Sequence, residues 1–132
     1  MKKPKNLEEV IKQKYSYMDL PNFEFDAGWN NLIADLCEEI SIADKRKEVR
    51  VQQIKEKYST LRFYTNSRLK RINNIITRYE KISANTCEVC GNAGHIRVLK
   101  NFPWYKTLCD RHTKKLGYID IKEKAKRKSN KE

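Results

Sequence analysis

The 132-residue chain has no run approaching the about 18 consecutive apolar residues of a membrane-spanning helix, and no apolar stretch follows its opening Met1-Lys2-Lys3-Pro4-Lys5-Asn6. Both absences lead to the expectation of a cytoplasmic protein, neither secreted nor membrane-bound. Apolar residues are few overall, 39% against 35% charged, where an average soluble domain has about 45–50% and about 25%. The core must be thin, and the length suits one small domain or two very small ones. Histidine occurs only twice.

Another absence is local. Residues 21–43 contain no Lys or Arg and carry Glu24, Asp26, Asp35, Glu38 and Glu39, although the chain as a whole has a net charge of +12. The basic excess lies further on, with twelve basic and four acidic residues over 44–86 and twelve and five over 87–132. A basic surface of this size concentrates polyanions, which points to nucleic acid or a nucleoprotein as partner. A solvated charged surface is the plainer alternative.

The spacing of Leu7, Val10, Ile11, Tyr15 and Met18 predicts an amphipathic helix ahead of Pro21, capped by Asn6 with Glu8 and Glu9 in its first turn. Asp26-Ala27-Gly28 leads into a second, acidic helix with Trp29, Leu32, Ile33, Leu36 and Ile40 on its apolar face and Asp35, Glu38 and Glu39 outward. Alternation of Val49, Val51 and Gln53, then of Leu61, Phe63 and Thr65, predicts a hairpin turning around Glu56 to Ser59. Asn66 or Ser67 is the expected cap of a third helix, with Leu69, Ile72, Ile75, Ile76, Tyr79 and Ile82 on one face and a basic remainder. Residues 122–132 are too polar to bury anything and read as a frayed helix or disordered tail.

Cysteine spacing carries the chemistry. Cys87 and Cys90 form a Cys-x2-Cys pair followed by Gly91, and after eighteen intervening residues Cys109 and His112 form a Cys-x2-His pair. Ligands spaced in this way let each turn aim two donors at one ion, so three thiolates and one imidazole complete a tetrahedron and predict one structural zinc. The bridge fits a hairpin, Ile96 to Leu99 returning from Trp104 to Leu108, and Cys109 then opens a short helix. Knuckle, hairpin and helix in this order make a treble-clef-like unit. Disulfides are the alternative, disfavoured by the absence of a secretion signal. Zinc binding of this type contributes on the order of 10 kcal/mol, enough to replace a core.

Cys37, beside the apolar face of the acidic helix, reads as a buried free thiol. His95 reads as a loop residue or nucleic-acid contact, since Cys109 and His112 are the better-spaced pair. With four ligands filled and no nucleophile beside a base, no catalytic residue, enzymatic activity or small-molecule substrate is expected. Aromatic residues lie among basic ones at Tyr58, Arg62, Phe63 and Tyr64, and again at Trp104, Tyr105, Lys106 and Arg111. That pattern suits single-stranded nucleic acid, with Phe63, Trp104 and at least one tyrosine expected in the core instead. The candidate phosphate-binding residues are Arg62, Lys70, Arg71, Arg78, Lys106, Arg111, Lys114 and Lys115.

The order Gly28-Trp29, Leu32, Leu36-Cys37, Gln53-Ile54-Lys55-Glu56-Lys57-Tyr58, Leu61-Arg62-Phe63-Tyr64, Ser83, Cys87-Glu88-x-Cys90-Gly91 and Leu108-Cys109-x-x-His112 resembles a group of small zinc-binding proteins encoded by phages, prophages and bacteria. The resemblance covers about residues 28–112 and carries no settled activity. It departs from the group's usual pattern at Tyr58-Ser59, where Phe-Gly is common, and in the long basic tail. Such proteins are similar in kind to anti-CRISPR and other anti-defence factors, so the resemblance implies a host bacterial cytoplasm and inhibition of an RNA-guided nuclease, and the high Lys, Asn and Ile content suits an AT-rich host of the sort that carries type VI-like systems.

Together these readings give an α+β chain: a helix–helix–hairpin–helix domain over 1–86, a treble-clef-like zinc subdomain over 87–121 and a basic tail over 122–132. The expected partner is RNA or a guide-RNA nucleoprotein. A DNA-binding regulator or replication accessory protein is the alternative, and a metal-dependent nuclease using His95 a more distant one.

Overall fold

Asn6 Oδ1 accepts the N–H of Glu9 at 2.9 Å and opens α1 (Leu7–Lys14), as the sequence predicts. The computed structural model describes residues 6–130; residues 1–5 of the expected first domain and 131–132 of the expected tail lie outside them. After α1 a 3-10 turn (Ser16–Met18) leads to β1 (Phe23–Glu24), and a second 3-10 turn (Ala27–Trp29) opens the acidic helix α2 (Asn30–Ala43). Its face Trp29, Leu32, Ile33, Leu36 and Ile40 is buried. Asp44 closes α2: it accepts the N–H groups of Glu48 and Val49 and the hydroxyl of Tyr17.

The expected hairpin is β2 (Val51–Lys57) paired antiparallel with β3 (Thr60–Thr65). A register irregularity between Val51 and Gln53 shifts the inward phase, so Ile54 is buried and Gln53 only half-buried. The alternation read from sequence therefore holds for Val51, Leu61 and Phe63 but not for Gln53. β1 adds to β2 in parallel, Phe23 opposite Ile54; a two-residue strand has no periodicity to detect. The hairpin turns through Tyr58 and Ser59, both at positive φ (52° and 72°). Two-residue turns of this kind favour Asn-Gly, and a residue with a Cβ held there loses roughly 1–2 kcal/mol. Contacts of Ser59 stabilise it: its N–H donates to Glu56 Oε2 and its carbonyl accepts the Thr107 hydroxyl, each at 2.7 Å.

Neither expected cap opens α3 (Lys70–Ser83). Its N-cap is Leu69, without a side-chain hydrogen bond. Asn66 instead accepts from the Arg50 N–H and donates to the Glu48 carbonyl, tying the start of β2 to the end of β3. Ser67 accepts only from Leu69 N–H. Ile72, Ile76 and Tyr79 are buried against α2 and the hairpin, whereas Leu69 and Ile82, at the two ends of the predicted face, are exposed.

The cysteine-rich segment builds a second sheet. β4 (His95–Leu99) lies between β5 (Tyr105–Leu108) and β6 (Tyr118–Asp120), both antiparallel to it. The hairpin matches the sequence reading; β6, three residues reached through Gly117 at φ +77°, does not follow from it. α4 (Asp110–Lys115) follows β5, and the tail is helical as α5 (Ile121–Asn130), with Lys124 Nζ donating to the carbonyls of Leu99 and Phe102. Most buried apolar residues fall into two clusters, the larger from Ile11 to Tyr79 and a small one of Cys87, Leu108, Cys109 and Tyr118, with Val98 and Ile119 buried in the second sheet outside both. The α+β class holds. No helix among the described residues is long and apolar enough to cross a membrane.

Candidate metal centre and basic surface

The knuckle at Cys87 is shaped by its backbone. Cys87 N–H donates to the Asn92 carbonyl at 2.7 Å and Gly91 N–H to the Cys87 carbonyl at 2.8 Å, closing a turn that requires Gly91 at φ +83°. Both cysteines are thereby aimed at α4. Cys109 is the N-cap of that helix and His112 sits in its first turn, as predicted. The donor atoms of Cys87, Cys90, Cys109 and His112 all lie within 4.8 Å of one another. Cys90 Sγ is 3.7 Å from Cys109 Sγ, and His112 Nδ1 is 3.8 Å from Cys87 Sγ and 3.1 Å from Cys109 Sγ. A tetrahedron with metal–sulfur bonds of about 2.3 Å and a metal–nitrogen bond of about 2.0 Å has edges of about 3.5–3.8 Å. The four side chains can thus hold one metal ion, and the cysteines among them are free thiols, none joined in a disulfide.

The electrostatics suit a cation. The backbone N–H of His112, helped by its side chain and the neighbouring cysteines, lowers the Cys109 thiol to about 6, so a thiolate stands ready at neutral pH. Cys37 behaves oppositely: fully buried, it is pushed up to about 12 by desolvation and stays an inert thiol. His95, exposed at the start of β4, is not part of the cluster.

The knuckle is also the seat of α2. Gly28 N–H donates to the Glu88 carbonyl at 2.7 Å, Asp26 N–H to Glu88 Oε2 at 2.9 Å, and Trp29 Nε1–H to the Thr86 carbonyl at 2.9 Å. Lys106 Nζ reaches Asp26 at 2.9 Å and Glu88 at 3.7 Å. Glu88, 3% exposed, was not singled out by sequence reasoning beyond its place in the Cys-Glu-x-Cys run; nothing in a lone glutamate announces burial. Arg97, also missed, is buried between Asp110 (2.8 Å) and Asp120 (3.9 Å) and ties β4 to α4 and β6.

No protein-family model, curated protein or solved structure matches the chain. What distinguishes the eight candidate binding residues is therefore their own surroundings. Arg111, Lys114 and Lys115 are exposed on α4, and Lys70 is exposed on α3; none of the four makes an ion pair among the described residues. Arg71 is exposed and donates to the Ala43 carbonyl, while Arg62 is half-buried near Glu80. Arg78 makes a two-pronged contact with Glu39, at 2.6 and 3.2 Å. Lys106 is only 22% exposed and already neutralised. The acids of α2 are largely used within the fold as well, since Glu38 takes Lys14 and the Tyr15 hydroxyl, and Glu39 takes Arg78 and the Tyr79 hydroxyl.

The aromatic residues divide differently from the sequence expectation. Phe63 is in the core, but Trp104 is 56% exposed and Tyr58, Tyr64 and Tyr105 are exposed too. The far end of the β4–β5 hairpin lies beyond both apolar clusters, so Trp104 has no core to join.

Proposed function

We propose that the chain is a non-enzymatic, zinc-stabilised module that binds RNA. Zinc is the ion that three thiolates and an imidazole in a closed four-ligand set select, and a closed set leaves no position for substrate. The order of knuckle, hairpin and helix supports a treble-clef-like unit, extended by β6 and α5. The observation that carries the binding reading is α4 itself. Arg111, Lys114 and Lys115 stand at i, i+3 and i+4 on a helix whose first turn belongs to the metal site, so their charges share one face that the metal holds in place. Exposed cations outside ion pairs are free to contact phosphate.

A salt series of RNA gel shifts tests this. Binding should be present at low salt and fall steeply as salt rises; absence of binding at low salt sinks the reading. Preference for duplex DNA of defined sequence would favour a DNA-binding regulator instead. The resemblance to phage-encoded proteins makes a guide-RNA nucleoprotein the target to test first, through complex formation with a purified RNA-guided nuclease and inhibition of its cleavage.

A further inference from the structure

Tyr58 occupies a position that turn chemistry gives to Asn or Gly. It is held at φ +52°, yet its side chain is 74% exposed and contributes nothing to either core. A bulky residue kept in a strained conformation without a packing role marks a functional position. Its neighbours supply the context. Tyr58 and Lys57 on the first hairpin, and Pro103, Trp104 and Tyr105 on the second, line one groove of about 340 Å³ with Glu56. The two hairpins are locked at this point by the buried hydrogen bond from Thr107 Oγ1 to the Ser59 carbonyl. The groove is thus preformed and walled by exposed aromatic rings.

We infer that this groove stacks unpaired nucleobases of a single-stranded RNA, an inference that rests on the RNA-binding reading and specifies its mode. Sequence-tolerant binding of single strands uses aromatic faces beside cations, and Lys57 Nζ lies 5.6 Å from the Tyr58 ring centroid. Glu56 decides between base and phosphate. Its carboxylate, which accepts Ser59 N–H through Oε2, repels a phosphate from the groove and can accept from the amino or imino groups of a base. The phosphates are left to the exposed lysines and arginines outside it. A base-paired helix keeps its bases stacked inside and has none to offer.

The test compares an unstructured RNA of adenosines and cytidines with a fully paired RNA duplex, using the full zinc-loaded chain. Tyr58→Gly and Trp104→Ala should each weaken single-strand binding about tenfold and leave duplex binding and the salt dependence of the remaining affinity unchanged. Tyr58→Gly should at the same time raise the urea midpoint, because glycine relieves the positive φ; a purely structural tyrosine would not separate stability from binding in this way. Tyr58→Phe should keep single-strand affinity. Single-strand affinity at the wild-type level in both Tyr58→Gly and Trp104→Ala, with salt-steep RNA binding intact, overturns the groove and spares the RNA-binding reading. Absence of wild-type binding to either RNA at low salt overturns both.

Discussion

The N–H of Gly28 donates to the Glu88 carbonyl at 2.7 Å, and a Cβ added at Gly28 would lie 2.4 Å from that same oxygen. The backbone that starts the acidic helix is therefore seated directly on the backbone of the metal knuckle, with no room for a side chain between them. Helical part and knuckle are thus joined backbone to backbone.

Gly28→Ala should accordingly destabilise the protein by about 3 kcal/mol, the upper range for overpacking against an unyielding neighbour. Gly117→Ala is the control: a Cβ there meets nothing within 4 Å, and only the φ of +77° penalises it, by roughly 1–2 kcal/mol. Urea denaturation of both variants checks the order; equal losses would show that the contact at Gly28 is not the determinant.

Metal analysis of the purified protein should find one zinc per chain. Chelation, Cys87→Ser or Cys109→Ser should unfold the segment after Thr86, since its apolar cluster is too small to hold alone. Because Trp29 donates to the Thr86 carbonyl, its environment should change too. In a Trp104→Phe background, where Trp29 is the remaining tryptophan, chelation should red-shift the fluorescence. An unshifted spectrum would mean that α2 is seated without the metal.

Lys106 and Lys114 should part company. Lys114→Gln should lower RNA affinity and reduce the salt slope by about 0.7, the loss of one single-strand phosphate contact. Lys106→Gln should leave the slope alone and lower stability by about 1–3 kcal/mol, because Glu88 Oε1 has no hydrogen-bonding partner and Lys106 is the cation beside it. Reversal of this pattern would place the phosphate contact on Lys106.

Alkaline pH should weaken the fold before it denatures it. Burial, reinforced by the hydrogen bond to Glu39, raises the Tyr79 phenol to about 12, and burial likewise raises Tyr15 and Tyr17, which donate to Glu38 and Asp44. Unfolded tyrosines ionise near pH 10 while these stay protonated, so the contribution of Tyr79 is complete below pH 10 and is lost as pH rises through about 12, that of Tyr15 and Tyr17 at still higher pH. Urea midpoints measured from pH 8 upward should fall over that window, less steeply in Tyr79→Phe. A fall of the same steepness in the variant would remove Tyr79 from the account.

The sequence by itself determined what depends on spacing along the chain. The four side chains that can hold a metal ion, the helix that Cys109 caps, and the buried face from Trp29 to Ile40 are local patterns, legible because ligand geometry and the 3.6-residue period act over a few residues. Only the tertiary structure decided what depends on partners far apart. Asn66 looked like a helix cap and became a clasp because Arg50 and Glu48 lie across the hairpin. Lys106 and Arg78 looked like phosphate contacts, until Asp26 and Glu39 arrived from α2 and its approach to neutralise them. Trp104 looked like core, and the hairpin carried it beyond both cores. A charge or a ring declares its chemistry in sequence, but whether water, an acid or another ring meets it is fixed only when the chain closes.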